Sequence, residues 1–421
     1  MKQNAYVLKT VKEAKKASFS AARLSTAKKN TLLREMAKAL LQNKIVLMRE
    51  NRKDLAYARA AGISSAMLDR LALTEKRIKE MVSAVAAVAR IPDPIGKSLA
   101  CWRRPNGLVI EKRCVPLGVI LIIYEARPNV TTECASLCLK SNNAVILRGG
   151  KESFYSNVAL VKIFRAVLKK NRIDENIISF ITMTDRNVVD GLLKQDKYIN
   201  LVIPRGGESL IRKVVELSTI PVIKHYKGIC HVFVDASASL AVAQKIAMNA
   251  KCQRPSVCNA METLLVHQKI ARTFLTKFAE AYCAVGGEIY GCAKTRAILK
   301  GCKCVKVASD RHYATEYLDL KLSVKVVKDT QAAIDHINTF GSAHTDAIIS
   351  RTNKNIELFV SEVDSSSVMV NASTRFSDGN QYGFGAEIGI STDKIHARGP
   401  MGLDGLTSYK YIVRGRGQVR E

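Results

Sequence analysis

Apolar residues recur at helical spacing through the first part of the chain. Ala-, Lys- and Leu-rich stretches from Tyr6 to Leu24, from Thr26 to Ala60 and from Thr74 to Ala89 predict helices. Gly62 interrupts this block, and Pro92 and Pro94 end it. Two strand-like runs follow, Gly107 to Cys114 and Val119 to Tyr124, separated by Pro116-Leu117-Gly118.

Short apolar runs then alternate with amphipathic segments. Helix is predicted for Val130 to Lys140, Ser153 to Lys170 and Ser209 to Leu217. Strand is predicted for Ala144 to Leu147, Ile177 to Ile181, Ile199 to Ile203 and Val222 to Lys224. A second block repeats the rhythm: strand Ile229 to Val234, helix Leu240 to Lys251, strand Thr263 to Val266, and further alternation to Val368–Val370. Such alternation predicts βαβ units and mostly parallel sheets. The run Ser408 to Val413 reads as a closing strand. Two α/β domains would leave a ligand cleft near residues 205–260.

Composition narrows the class. A chain of 421 residues, 47% of them hydrophobic, exceeds one ordinary core and suggests two globular domains. The apolar run from Val115 to Tyr124 is too short to span a membrane, and the N-terminus lacks a secretory apolar run. Eleven cysteines without such a leader are expected as reduced thiols in a cytoplasmic protein. Cys302 and Cys304, with Cys292 upstream, fit no closed four-ligand pattern, so no metal is expected. The formal charge of +29 raises a nucleic-acid role. The Lys and Arg residues are dispersed at helical spacing, with no basic tail and no aromatic ladder. A solvated basic surface is the expectation instead.

Three segments carry candidate chemistry. Cys258 follows Pro255 on an irregular stretch between a predicted helix and a predicted strand, a place from which a sulfur reaches a cleft. A free thiol titrates near pH ~8.5, so a nucleophilic one needs positive charge or N–H groups nearby, and Arg254 is the nearest candidate. The alternative is an inert buried thiol, and Cys252, at the end of the helical pattern, is the competitor. Pro204-Arg205-Gly206-Gly207 and Arg148-Gly149-Gly150-Lys151 each place a glycine turn between a strand and a helix. That arrangement seats a phosphate on backbone N–H groups, although a Gly-Gly pair also serves as a plain turn. Arg148 and Lys151 would meet an additional phosphate, favouring NADPH over NADH. The six-residue glycine fingerprint of common dinucleotide folds is absent. Asn129, after Pro128, reads as a helix cap or a functional amide. His396, in a late glycine-rich loop, reads as a base or a structural histidine.

Tyr124-Glu125-Ala126-Arg127-Pro128-Asn129-Val130-Thr131, Ile203 to Gly207, Gln253 to Ala260, Thr315 to Leu320, Val370 to Phe376, Ile395 to Leu403 and Tyr409 to Gly415 together resemble the gamma-glutamyl phosphate reductases. These form a branch of the aldehyde dehydrogenase superfamily, and the resemblance runs over roughly residues 5–420. It implies two doubly wound α/β domains plus a small β element for homo-oligomerisation. The implied boundaries are 1–97 with 115–226 for NADPH binding, 227–394 for catalysis, and 98–114 with 395–421 for oligomerisation. The implied reaction is NADPH-dependent reduction of L-glutamyl 5-phosphate to glutamate 5-semialdehyde with release of phosphate, the second step of proline biosynthesis. By the same resemblance Cys258 is the nucleophile, Asn129 holds the oxyanion, Arg148 approaches the adenosine ribose, and Glu316 holds the nicotinamide ribose. Ser373, Thr374 and Arg375 fall where substrate-facing residues lie, with Arg375 either reading the α-carboxylate or pairing with Asp378. Oxidising relatives carry a water-activating glutamate. The corresponding stretch here, His225-Tyr226-Lys227-Gly228-Ile229-Cys230-His231, has no carboxylate. Whether a glutamate 5-kinase associates to hand over its unstable product is left open, and an oxidising aldehyde dehydrogenase is the competing enzyme class.

Overall fold

The computed structural model describes residues 2–420. The chain forms two compact units: residues 1–224, 383–389 and 401–421 make the first, and residues 225–382 and 390–400 the second.

The first unit opens with five helices: α1 (Lys2–Ala21), α2 (Thr26–Gln42), α3 (Lys44–Ala60), α4 (Ser65–Leu71) and α5 (Glu75–Arg90). The long helix expected from Thr26 to Ala60 is two helices. Asn43 divides them, because its side-chain amide donates to the Ala39 carbonyl at 2.8 Å and closes α2. The small α4 escaped the periodicity argument, being only 7 residues long. Strands β1 (Ser98–Arg103) and β2 (Val109–Pro116) form a hairpin. After it come β3 (Val119–Tyr124), α6 (Pro128–Lys140), β4 (Ala144–Arg148), α7 (Phe154–Lys170), β5 (Ile178–Phe180), α8 (Arg186–Leu192), β6 (Leu201–Arg205) and α9 (Glu208–Leu217).

These strands make a four-stranded parallel sheet in the order β5-β4-β3-β6. Strand β3 is buried along its whole length, as a strand covered by helices on both faces requires. Chain order reverses beside it, so β3 and β6 flank the position where α/β sheets bind ligands. The expected strand Val222–Lys224 is reduced to a single bridge between Val202 and Val222. The two runs on either side of Pro116-Leu117-Gly118 are not partners: β2 pairs with β1, and β3 pairs with β4 and β6.

In the second unit, β7 (Cys230–Val234), α10 (Leu240–Cys252), β8 (Met261–His267), α11 (Ala271–Ala284), β9 (Glu288–Gly291), α12 (Ala293–Ile298), β10 (Val305–Val307), α13 (Asp310–Tyr313), β11 (Lys321–Val327), α14 (Thr330–Phe340), β12 (Thr345–Ile349), α15 (Asn353–Glu362) and β13 (Ser367–Val370) follow in turn. They build a seven-stranded parallel sheet in the order β10-β9-β11-β8-β7-β12-β13. Val232, Leu264, Phe274, Phe278 and Val324 form its core. A two-stranded ribbon, β14 (Ile390–Ser391) with β15 (Gly399–Pro400), completes this unit. The closing strand β16 (Thr407–Arg414) pairs antiparallel with β2, giving a three-stranded sheet in the first unit.

Among the described residues no helix is long and apolar enough to cross a membrane. The basic residues are not all solvated. Lys29, Lys140 and Lys251 are fully buried, each held by hydrogen bonds: Lys29 and Lys140 to one another's neighbourhoods, and Lys251 to Glu262. Cys283 and Cys304 form a disulfide, where reduced thiols were expected.

Candidate active site

In the first unit the candidate residues gather at the C-terminal ends of β3, β4 and β6. Pro128 occupies the first position of α6, where its missing N–H costs nothing and its fixed φ favours the helix. Asn129 is therefore inside the helix and Arg127 is the cap residue, so the cap reading of Asn129 does not hold. The Asn129 amide donates to Glu133 Oε1 at 3.0 Å. Burial raises the Glu133 carboxyl above its ordinary range, and this hydrogen bond works against that rise.

The two glycine turns differ. A Cβ on Gly149 would strike the Asn157 amide and come within 3.1 Å of the Tyr124 ring, so this glycine is required by packing. A Cβ on Gly206 would lie 2.7 Å from the Glu125 carboxyl carbon and from Leu210, whereas one on Gly207 would meet nothing. The Gly207 N–H, at the start of α9, donates to Glu125 Oε2 at 3.2 Å. That turn thus already holds an anionic oxygen, reaching across from the end of β3. Arg148 lies along the same rim and donates to the carbonyls of Gly149 at 2.7 Å and Thr184 at 3.2 Å, bracing the loops after β4 and β5. Lys151 is exposed and its Nζ stands 5.9 Å from the centre of the Tyr57 ring. Pro204 and Arg205 end β6.

In the second unit, α10 stops at Cys252 and β8 starts at Met261, and the turn between them carries Cys258. Its backbone is seated on Gly228: a Cβ there would fall 2.5 Å from the Cys258 Cα and closer still to the carbonyl oxygen. The Cys230 thiol donates to that carbonyl at 3.2 Å. Cys230 is fully buried, and burial pushes its thiol well above the usual range. Cys252 packs against the hydrophobic core and is pushed up by burial as well. Cys258 is partly exposed on its turn.

The guanidinium of Arg375 donates to Gln253 Oε1 at 2.8 Å and to Asn259 Oδ1, holding the start and the end of this turn together. Burial lowers the Arg375 pKa, and the positive charge of Arg254 adds to that fall. The expected alternative, a pair with Asp378, is not formed among the described residues; Asp378 Oδ1 instead accepts the Asn380 and Gln381 N–H groups. Ser373 and Thr374 are both buried, with the Thr374 hydroxyl donating to the Asn259 carbonyl at 2.7 Å and the Ser373 hydroxyl capping the short turn that carries Arg375. Their hydroxyls shape the loop, and Arg375 is the donor they position. Glu316 Oε1 accepts the Gly228 N–H at 2.9 Å, which brings the 315–320 segment up to the Cys258 turn. His396 is exposed in the β14–β15 loop with a φ of 73°.

Sequence reasoning missed Gly228, whose need for glycine comes from a close backbone approach 30 residues along the chain. It also missed Lys251 and Glu262, a fully buried ion pair at 2.6 Å that joins the last turn of α10 to the start of β8. These two residues bracket the Cys258 turn, and Glu262 Oε1 accepts the Leu318 N–H at 3.2 Å.

The chain is similar to known proteins over nearly its whole length. The model of the aldehyde dehydrogenase family matches residues 1–288. A gamma-glutamyl phosphate reductase of Thermodesulfovibrio yellowstonii is 52% identical over 415 residues, covering 99% of both chains. One from a Geobacter species is 53% identical over 408 residues, covering 97% of both. The crystal structure of the Thermotoga maritima gamma-glutamyl phosphate reductase superimposes with a TM-score of 0.96 at 44% identity, covering 99% of this chain and 100% of that one. An acetylating aldehyde dehydrogenase from Geobacillus thermoglucosidasius shares the fold at 16% identity, with a TM-score of 0.69. The chain is therefore a member of the gamma-glutamyl phosphate reductases, oxidoreductases of the aldehyde dehydrogenase family.

Proposed function

We propose that the protein reduces L-glutamyl 5-phosphate to L-glutamate 5-semialdehyde with NADPH, releasing inorganic phosphate, as the second step of proline biosynthesis in the cytoplasm. The observation that carries this reading is Cys258, a partly exposed thiol on a turn held by Arg375 and backed by Gly228. Cys230 and Cys252, its neighbours in sequence, have thiols raised by burial and are poor nucleophiles.

The Cys258 sulfur attacks the acyl-phosphate carbonyl carbon. The Asn129 amide and the Cys258 N–H are the proposed donors to the oxyanion that develops. The bond to the phosphate oxygen then breaks, and the acyl group stays on sulfur as a thioester. No carboxylate occupies the 225–231 stretch to activate water, so the thioester persists. When bound, the reduced nicotinamide supplies the hydride that takes this thioester to the aldehyde level. Arg148, Gly149, Gly150 and Lys151, together with Pro204 to Gly207, are the proposed cofactor seat, and Glu316 the proposed ribose ligand. The fit is supported by the Gly207 N–H, which holds a carboxylate oxygen and would hold a phosphate oxygen by the same donor. Arg148 and Lys151 supply the positive rim that favours NADPH.

Arg254 and Arg375 are the proposed partners of the substrate's negative groups, with Ser373 and Thr374 acting through Arg375. Homo-oligomer formation through the β1-β2-β16 sheet belongs to the same reading, since Leu99, Trp102, Tyr411 and Val413 lie exposed on it. The test is the reverse reaction. NADP reduction with glutamate 5-semialdehyde must require inorganic phosphate; reduction that proceeds equally without phosphate overturns the assignment in favour of an oxidising aldehyde dehydrogenase.

A further inference from the structure

The edge of the seven-stranded sheet holds a cluster of sulfurs that the reductase chemistry does not use. Cys283 lies in the last turn of α11, Cys302 in the turn after α12, and Cys304 just before β10. They converge because the chain runs from β9 through α12 back to β10, which pairs parallel with β9. Cys302 Sγ stands 3.2 Å from Cys304 Sγ and 3.8 Å from Cys283 Sγ, while Cys283 and Cys304 are joined as a disulfide. All three sulfurs lie within 4.8 Å of one another, and each residue is partly exposed. Cys292, the partner suggested by sequence spacing, is engaged elsewhere: its sulfur accepts the Thr295 and Val326 N–H groups, each at 3.5 Å.

We propose that Cys283, Cys302 and Cys304 form a redox-gated site for a thiophilic divalent cation of the zinc class. Three thiolates at a metal–sulfur distance of about 2.3 Å in tetrahedral array stand about 3.8 Å apart, and sulfurs on these three elements need only small side-chain rotations to reach that spacing. Partial exposure gives an entry path and leaves the fourth position to water. The exposed Lys300 and Lys303, on either side of Cys302 in sequence, favour thiolates there and offset the negative charge of a three-thiolate complex.

The disulfide is the closed state of the site, because it leaves a single thiol, and one thiol does not hold the ion. A small-molecule thiol reductant opens it: two thiols give two electrons and two protons to the Cys283–Cys304 bond and leave as their own disulfide. The cation then displaces three protons and binds three sulfurs. Peroxide reverses this: it takes two electrons from the Cys283 and Cys304 thiolates and two protons from solvent, forming the S–S bond and two waters and expelling the cation. The ligands close a loop of 22 residues counted from Cys283 to Cys304, so binding stabilises the reduced fold.

The test uses the full-length protein, reduced with a phosphine and titrated with Co2+ without oxygen. One equivalent should bind with a sulfur-to-cobalt charge-transfer band, and Zn2+ should displace it and raise the thermal midpoint. Cys302→Ser, which keeps the disulfide pair and lies outside the catalytic machinery, should weaken Co2+ binding by about a hundredfold while reductase activity and circular dichroism stay at wild-type levels. Cys258→Ser should keep the band, and peroxide should abolish it with release of the ion. Absence of the band in reduced wild type, its persistence in Cys302→Ser, or its loss in Cys258→Ser overturns the site. Equal Co2+ binding before and after peroxide overturns the gating.

Discussion

Gly228 and the Cys258 backbone lie in direct apposition, with no space for a side chain at residue 228: a Cβ there would stand 2.5 Å from the Cys258 Cα. The Gly228 N–H is at the same time bound by Glu316 Oε1 at 2.9 Å. One glycine thus joins the proposed nucleophile to the segment carrying the proposed ribose ligand. Gly228→Ala should push the Cys258 turn out of place. Misplacement by about 1 Å costs about a hundredfold in rate, so turnover should fall at least that far. Alkylation of Cys258 by iodoacetamide, followed by mass spectrometry, should slow or speed together with the displacement. Wild-type turnover and alkylation in this variant would show that the contact is dispensable.

The Lys251–Glu262 pair makes a second, pH-dependent prediction. Both side chains are fully buried, and burial raises the Glu262 carboxyl to about 7 against the pull of Lys251. The unfolded value is about 4.3. Folded Glu262 therefore holds its proton more tightly than the unfolded chain does. Its contribution to stability is complete below pH ~4.3 and is lost as pH rises through about 7. Glu262→Gln keeps the shape of the protonated carboxyl and removes its titration, so its stability relative to the wild type should change across this window. Measured by denaturant unfolding, the stability of the wild type relative to the variant should be higher at pH 5 than at pH 8, because the wild type loses the contribution of Glu262 over that window. A relative stability that grows with pH would contradict the assignment.

Arg375 is tied to Gln253 and Asn259 rather than to Asp378, so among the described residues no carboxylate is hydrogen-bonded to its guanidinium, which faces the Cys258 turn. A planar guanidinium recognises a carboxylate with two parallel hydrogen bonds, and an ammonium group does not. Arg375→Lys should raise KM for glutamate semialdehyde by about tenfold, the worth of about 1.4 kcal/mol, and leave KM for NADP nearly unchanged. Equal losses for both ligands would move Arg375 to a purely structural role.

In the proposed cofactor seat, Lys151 is the residue expected to separate the two nicotinamide cofactors. It is exposed, so its replacement should not disturb packing. Lys151→Ala should raise KM for NADPH by about tenfold, as loss of one charge-assisted hydrogen bond does, while any activity with NADH should be unchanged. Parallel changes with both cofactors would remove Lys151 from phosphate recognition.

Periodicity carried most of the fold. The helices α1, α5, α6 and α7 and the strands β3, β4, β6 and β7 all follow from apolar spacing within a few residues. What escaped depends on contacts distant in sequence. Asn43 splits a helix through one side-chain bond to Ala39, a preference too local to show in a hydrophobic pattern. Ser373 and Thr374 look like free donors in the sequence, yet both hydroxyls turn inward to the backbone. Lys251 and Glu262 read as surface charges on a basic chain until the end of α10 meets the start of β8. Cys283 joins Cys302 and Cys304 only after β9, α12 and β10 have folded back. Cys258 was legible because a proline and a turn between a helix and a strand leave local signals.

The covalent role of Cys258 is decided by Cys258→Ser, assayed for phosphate-dependent NADP reduction by glutamate semialdehyde alongside NADPH binding by fluorescence titration. The variant should bind NADPH with wild-type affinity and lose at least about a thousandfold in turnover, since the hydroxyl is a far weaker nucleophile than the thiol at neutral pH. Turnover within about tenfold of wild type, with NADPH binding intact, would contradict a covalent role for Cys258 and with it the proposed mechanism.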